Sequence, residues 1–293
     1  AGKLATGGEN TFIGYQAGEA VTTGADNTLV GNEAGEALTE GSRNVFIGHE
    51  SGEGITTGGN NVVIGWNAAS TANADLDEAV VIGYNALTGS GGGTSQDGSV
   101  AIGFGAAGGG ANKGVYLGYR AGDNQSEEGT VAIGYEALRD GDTNEFVTAV
   151  GYNAFKALAV QDETLSTALG WKAGAANTTG IDNTFIGSKA GIAVTTGASS
   201  VAVGAKTLLT ETTGSHNVAI GHDSMGSSEL ASRNVGIGTN TLKNMTNSST
   251  PVDMYNVAIG YDAGVSISTG TANTIIGGLA GDALTSGTHN TVV

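Results

Sequence analysis

The segment Asn10-Thr11-Phe12-Ile13-Gly14 returns, lightly altered, about every seventeen residues to the end of the chain. The glycine that closes it stands at positions 14, 31, 48, 65, 83, 103, 118, 134, 151, 170, 187, 204, 221, 238, 260 and 277, which makes sixteen copies at intervals of 15 to 22 residues. A short period kept over a whole chain restricts the fold more than any single motif does. Each copy is too small to bury its own apolar surface and must bury it on its neighbours. A chain of 293 residues would otherwise prompt a division into two domains,. One repeat running through it predicts a single elongated domain over residues 1–293.

Aligned on its glycine, each copy shows which positions are constrained. The residue three before the glycine is Thr or Val in all sixteen copies, and the residue just before it is Ile, Val or Leu. Two apart in an extended chain, they point to one side, and their β-branched types suit a pleated surface, so they are expected to face the core. The residue between them is Phe12, Leu29, Phe46, Val63, Ala101, Ala132 or Ala219 in different copies, so the other strand face is apolar too. A strand apolar on both faces is covered on both, one of them by something beyond its own coil.

After the glycine comes a residue that is aromatic in nine copies: Tyr15, Trp66, Tyr84, Phe104, Tyr119, Tyr135, Tyr152, Trp171 and Tyr261. The next is mostly polar, as at Gln16, Glu33, Arg120 and Lys189. The third is Ala, Ser or Thr, the size a tight inner corner or second short strand selects. The fourth is Gly, as at Gly18 and Gly35, or larger, as at Leu87, Leu138, Phe155 and Met225. The remainder, such as Thr22-Thr23-Gly24, reads as turn.

Two units of seventeen equal the length of a helix-pair repeat, but glycine inside every unit and an apolar period of two rule that out. The fold class predicted is all-β, a parallel β-solenoid (β-roll) of about sixteen 17-residue coils. At ~4.8 Å per coil it would be a rod of about 77 Å. The longer intervals place extra residues in turns, at Thr88–Gly98 and at Lys243–Tyr255, where insertions leave the ladder intact.

Composition narrows the function classes. Glycine (52 residues) with one proline, at a period other than three, excludes collagen,. A net charge of -17 with eleven Lys and Arg argues against nucleic acid as a partner,. It fits a long particle kept soluble by its own charge. With no cysteine there is neither a disulfide framework nor a thiolate metal site,. No apolar run approaches the roughly twenty residues of a membrane helix, and no signal peptide is evident. The chain begins and ends inside the repeat pattern, as a fragment of a longer fibrous protein would.

At Ser99-Val100-Ala101-Ile102-Gly103, Asn217-Val218-Ala219-Ile220-Gly221 and Asn256-Val257-Ala258-Ile259-Gly260, with Ala106 or Ala263 three residues after the glycine, the sequence resembles the head repeats of YadA-like trimeric autotransporter adhesins. It is similar also to β-roll repeats in phage tail-fibre shafts. The resemblance implies a left-handed roll, packed side by side in a homo-oligomer, a trimer, which would bury the second strand face at Phe12, Leu29, Phe46 and Phe185. It implies an extracellular place on a bacterial surface or virion, with a host or prey cell surface or glycan as partner. The period of about 17 is longer than the usual head repeat, and no coiled-coil neck follows.

The Asn column four before the glycine, Asn in nine copies and Ser at Ser99, Ser166 and Ser200, reads either as a polar binding stripe or as a ladder of stacked amides. The ladder is the simpler reading. The aromatic column, at Tyr15, Trp66, Tyr84, Tyr119, Tyr135, Tyr152, Trp171 and Tyr261, reads as a ligand surface for sugar rings or as an inter-subunit seam. Thr-Thr-Gly turns are too few for an ice-binding plane. Calcium is the metal for which hard oxygen ligands exist, at Asp26, Asp75, Asp77, Glu78 and Asp182, but its glycine-rich nonapeptide is absent, and solvated turn acids are expected. His49, His216, His222 and His289 lie in separate coils apart from the middle pair, and give no zinc constellation,. Every coil resembles its neighbours, whereas catalysis needs one special place. Neither enzyme activity nor a cofactor is expected.

Overall fold

A computed structural model describes residues 6–72, 75–89, 96–109, 113–124, 129–141, 146–159, 165–246 and 252–293. The residues group into two compact units, Ala1–Phe146 and Val147–Val293. Each is a parallel β-solenoid, and its described residues contain no helix.

In the first unit one three-residue strand per coil forms the ladder: β1 (Thr11–Ile13), β2 (Thr28–Val30), β3 (Val45–Ile47), β4 (Val62–Ile64), β5 (Val80–Ile82), β6 (Val100–Ile102), β7 (Val115–Leu117) and β8 (Val131–Ile133). Each pairs in parallel with the next at the register the repeat dictates, Phe12 on Leu29, Leu29 on Phe46 and Phe46 on Val63. The second unit continues the pattern from β9 (Thr148–Val150) and β10 (Thr167–Leu169) to β13 (Val218–Ile220), β15 (Val235–Ile237), β17 (Val257–Ile259) and β18 (Thr274–Ile276). A short parallel pair joins β14 (Ala231–Ser232), which precedes Gly238, to β16 (Val252–Asp253) in the longer segment that follows it. Residues 90–95 of the first predicted insertion and 247–251 of the second, Pro251 included, lie outside the described residues.

The closing glycine ends each strand at a φ between 119° and 147°, a conformation L side chains avoid. A Cβ there would run into the next coil's backbone, as at Gly48 against the carbonyl of Gly65. The polar residue two after the glycine sits in the left-handed region, as Glu33 (φ 59°) and Asn67 (φ 57°) do. The third, as at Ala17, Ala68 and Thr207, is buried at a tight inner corner.

The inward and outward faces are the reverse of those expected. The middle strand residue is buried in its own coil stack, with Leu29, Phe46 and Phe185 at 0% exposure. The flanking Thr or Val and Ile face outward, and Ile220 is 36% exposed. Leu29, Phe46 and Phe185 are therefore core, not subunit interface, because their own coils already enclose them. Phe12 belongs to the same column in the first described coil and is half-buried.

In several coils core volume is kept by exchange between two positions, though not at Ala168 with Gly174 or Ala258 with Gly264, where both are small. Phe12, Leu29, Phe46 and Phe185 are paired with Gly18, Gly35, Gly52 and Gly191 four after the closing glycine, and a Cβ at Gly18 would stand 2.9 Å from the Phe12 ring. Where the strand residue is Ala132, Ala149, Ala219 or Gly236, the partner is Leu138, Phe155, Met225 or Leu242, each fully buried at positive φ. The large side chain fills the space a small strand residue leaves, and the gain outweighs the cost of a left-handed backbone.

Candidate functional site: a stacked aromatic column

The Asn column forms a buried ladder. The Asn44 Oδ1 accepts from the backbone N–H of Asn61 at 3.1 Å and from its Nδ2 at 3.0 Å, while Asn44 Nδ2 donates to the Gly58 carbonyl at 2.9 Å. Serine carries the same link where it replaces Asn, the Asn183 N–H donating to Ser166 Oγ at 3.1 Å. Most rungs are thus side chain to backbone, and with Asn27, Asn44 and Asn61 at 0% exposure no polar binding stripe exists here. The turn threonines are used in the same way, Thr22 and Thr39 donating to the carbonyls of Thr39 and Thr56.

Among the polar turns the outer surface also carries periodic apolar columns. Ile47, Leu117, Leu169, Ile237, Ile259 and Ile276 are exposed on the strands. In the first unit the aromatic column stacks into one run. His49 lies 5.7 Å from Trp66, Trp66 4.8 Å from Tyr84, Tyr84 5.0 Å from Phe104, Phe104 5.2 Å from Tyr119 and Tyr119 5.0 Å from Tyr135. From Trp66 onward the rings lie within 14° of parallel. The backbone sets this spacing. The carbonyls of His49, Trp66, Tyr84, Phe104 and Tyr119 accept from the amides of Asn67, Asn85, Gly105, Arg120 and Glu136 one coil on, so ring separation follows the coil rise of about 4.8 Å.

The stacked rings turn their faces to each other and their edges to solvent, yet Trp66 is still 45% and Tyr135 43% exposed. A groove of about 400 Å³ runs beside Phe104 and Tyr119, lined also by Asn85, Arg120, Asp123 and Asn124. Arg120 is fixed there by Asp123, its Nε donating at 2.6 Å, which raises the guanidinium further above its ordinary value.

The other members of the column are placed differently. Tyr15 and Tyr261 are exposed at 67% and 58%. In the second unit Tyr152 and Trp171 are half-exposed, and the Nζ atoms of Lys172 and Lys189 lie 4.9 Å and 5.2 Å from the Trp171 ring centre. The stack consumes ring faces that a sugar would need.

One grouping escaped the sequence reading. Coil stacking puts Glu50 directly above Glu33, with His49 beside them, and one ligand atom from each lies within 4.8 Å of the others. The residues are 16 and 17 apart, so the signal was available once same-column acids in consecutive coils were compared. Nearby, burial raises the Glu53 carboxyl above its ordinary value, and the charges of Glu50, Glu36 and Glu33 raise it further. Among the described residues no helix is long and apolar enough to cross a membrane.

The fold and the column define a class, a parallel β-solenoid repeat protein. Comparison with known proteins goes no further: no family matches the chain, and no curated protein or solved structure shows significant similarity to it.

Proposed function

We propose that the chain is a structural shaft or head segment of an extracellular bacterial or phage fibre, working as a homo-oligomer, a trimer, with copies side by side. The observation that carries this reading is the outward periodic apolar surface, above all the exposed stack from Trp66 to Tyr135. Apolar area of this extent is a docking surface in soluble proteins. An identical ladder on a second copy offers the same spacing, so copies of this chain are the partner that fits it best. The surface that joins copies is then the Ile and aromatic columns, while Phe46 and its equivalents stay inside each copy. The mechanism is mechanical and multivalent: a rigid support presents several weak attachment surfaces at once, and avidity replaces a single strong site.

A second reading, a glycan- or receptor-binding adhesin, draws on the groove beside Phe104 and Tyr119 with its polar rim. A glycan array with the chain, paired with sizing of Trp66→Ala and Trp171→Ala variants, separates the two. Loss of assembly in Trp66→Ala supports the seam. Reproducible glycan binding, lost in that variant while assembly is kept, overturns the seam in favour of the adhesin.

A further inference from the structure

We propose a divalent transition-metal site, of the zinc class, formed by Glu33, His49 and Glu50. Three observations carry it. First, an imidazole nitrogen and two carboxylate oxygens from two consecutive coils lie within 4.8 Å of one another, close enough for modest side-chain rotation to bring all three onto one ion at about 2.0–2.2 Å. Second, the His49 Nδ1 is shielded from solvent and has no hydrogen-bond partner, while the Glu50 Oε1 stands 3.6 Å away. A buried nitrogen without a partner is an uncommon state, and a bound cation resolves it. Third, in the column two after the glycine Glu33 and Glu50 are the one place where an acid follows an acid. At two other places neighbours in this column bond to each other, Asn67 Nδ2 to Asn85 Oδ1 at 2.9 Å and Asn240 Nδ2 to Asp262 Oδ1 at 2.8 Å. Two stacked carboxylates repel, and a cation between them removes the repulsion.

The donor set selects the ion. Imidazole nitrogen with two carboxylates suits zinc and its neighbours, whereas calcium and magnesium prefer oxygen alone. The His49 and Glu50 side chains are 40% and 29% exposed, so an ion reaches the carboxylates from solvent and meets the shielded His49 Nδ1 once the imidazole turns toward it. The Glu33 and Glu50 backbones are pinned by the Tyr15 and Asn32 carbonyls, which holds two of the ligands at the coil spacing. The third is steadied by the Trp66 ring stacked on it. An ion here would tie two consecutive coils together at the His49 end of the aromatic run.

The test uses the untagged chain. Equilibrium dialysis against Zn²⁺ reads stoichiometry, and Co²⁺, an open-shell stand-in of like coordination, quenches a tryptophan near it. In a Trp171→Phe background Trp66 is the one tryptophan left, its ring centre 5.7 Å from that of His49. One equivalent of Zn²⁺ per chain is expected, with Trp66 emission quenched at the same Co²⁺ saturation. His49→Gln and Glu33→Gln should each weaken binding by at least about tenfold, and His289→Gln should leave it unchanged. The Trp66 signal needs no ligand variant to fold. No saturable Zn²⁺ binding, no quenching of Trp66, or equal competition by Ca²⁺ would overturn the site.

Discussion

Phe46 and Gly52 offer the sharpest test of how the coils are filled. Phe46→Ala removes a ring that is fully enclosed and should cost ~3–5 kcal/mol, transfer and cavity together. Gly52→Leu places a Cβ 2.7 Å from the Phe46 ring at a φ of 62°, adding ~1–3 kcal/mol of overpacking to ~1–2 kcal/mol for a left-handed backbone. The double variant recreates the pairing of Ala132 with Leu138. Its cavity is refilled and its clash is gone, which leaves the backbone cost of ~1–2 kcal/mol. The singles together predict a loss of at least ~5 kcal/mol under additivity, so the cycle should show a favourable coupling of ~3 kcal/mol or more. Amide hydrogen exchange at Val45–Ile47 and Val62–Ile64 reads local opening without assuming that the whole array unfolds at once. A double variant as destabilised as the sum of the singles would refute the exchange of volume between the two positions.

The other expectations concern the ladder, a buried acid and the outer face. Asn44→Ala leaves the Asn61 backbone N–H and the Gly58 carbonyl without these partners, while Asn61 Nδ2 keeps the Leu76 carbonyl, and should cost ~2–4 kcal/mol at ~1–3 kcal/mol per buried group left unpaired. Asn44→Ser, which copies Ser166, should cost less, and urea midpoints check the order. Glu211 is buried and accepts from the amides of Gly214, Thr212, Leu230 and Ala231; burial raises its carboxyl above 4.5 and these bonds oppose the rise. Its folded form holds the proton more tightly than the unfolded chain. Its contribution to stability is therefore largest at acid pH and falls as pH rises from about 4.5 through the folded value. Melting temperature against pH should lose that component in Glu211→Gln. Ala219→Asp buries a carboxylate and should disrupt its coil, whereas Ile220→Asp points outward and should keep the circular dichroism of the fold while weakening association,.

The period and the parallel register were legible in the sequence, because a closing glycine at positive φ marks every coil. The Asn ladder was legible too, though its bonds run mainly to backbone amides. Which strand face points inward was not. With Val and Ile on one side of each strand and Phe, Leu or Ala on the other, both faces are apolar, and alternation alone does not say which is enclosed. The information lay in a correlation between positions: Phe46 with Gly52, Ala132 with Leu138, Ala219 with Met225. A column whose volume is compensated elsewhere in its own coil faces a closed interior. The nearly constant Ile column faces outward, where each copy repeats the last. The cluster of Glu33, His49 and Glu50 was hidden for a different reason, since its members become neighbours only when one coil lies on the next.

Native mass spectrometry of the intact chain at micromolar concentration tests the claim that the Ile and aromatic columns join copies of this protein. A particle at a fixed multiple of 28.8 kDa, about 86 kDa for the trimer, that dissociates in the Trp66→Ala and Ile220→Asp variants is the predicted result. A folded particle of 28.8 kDa with the same columns exposed would contradict it.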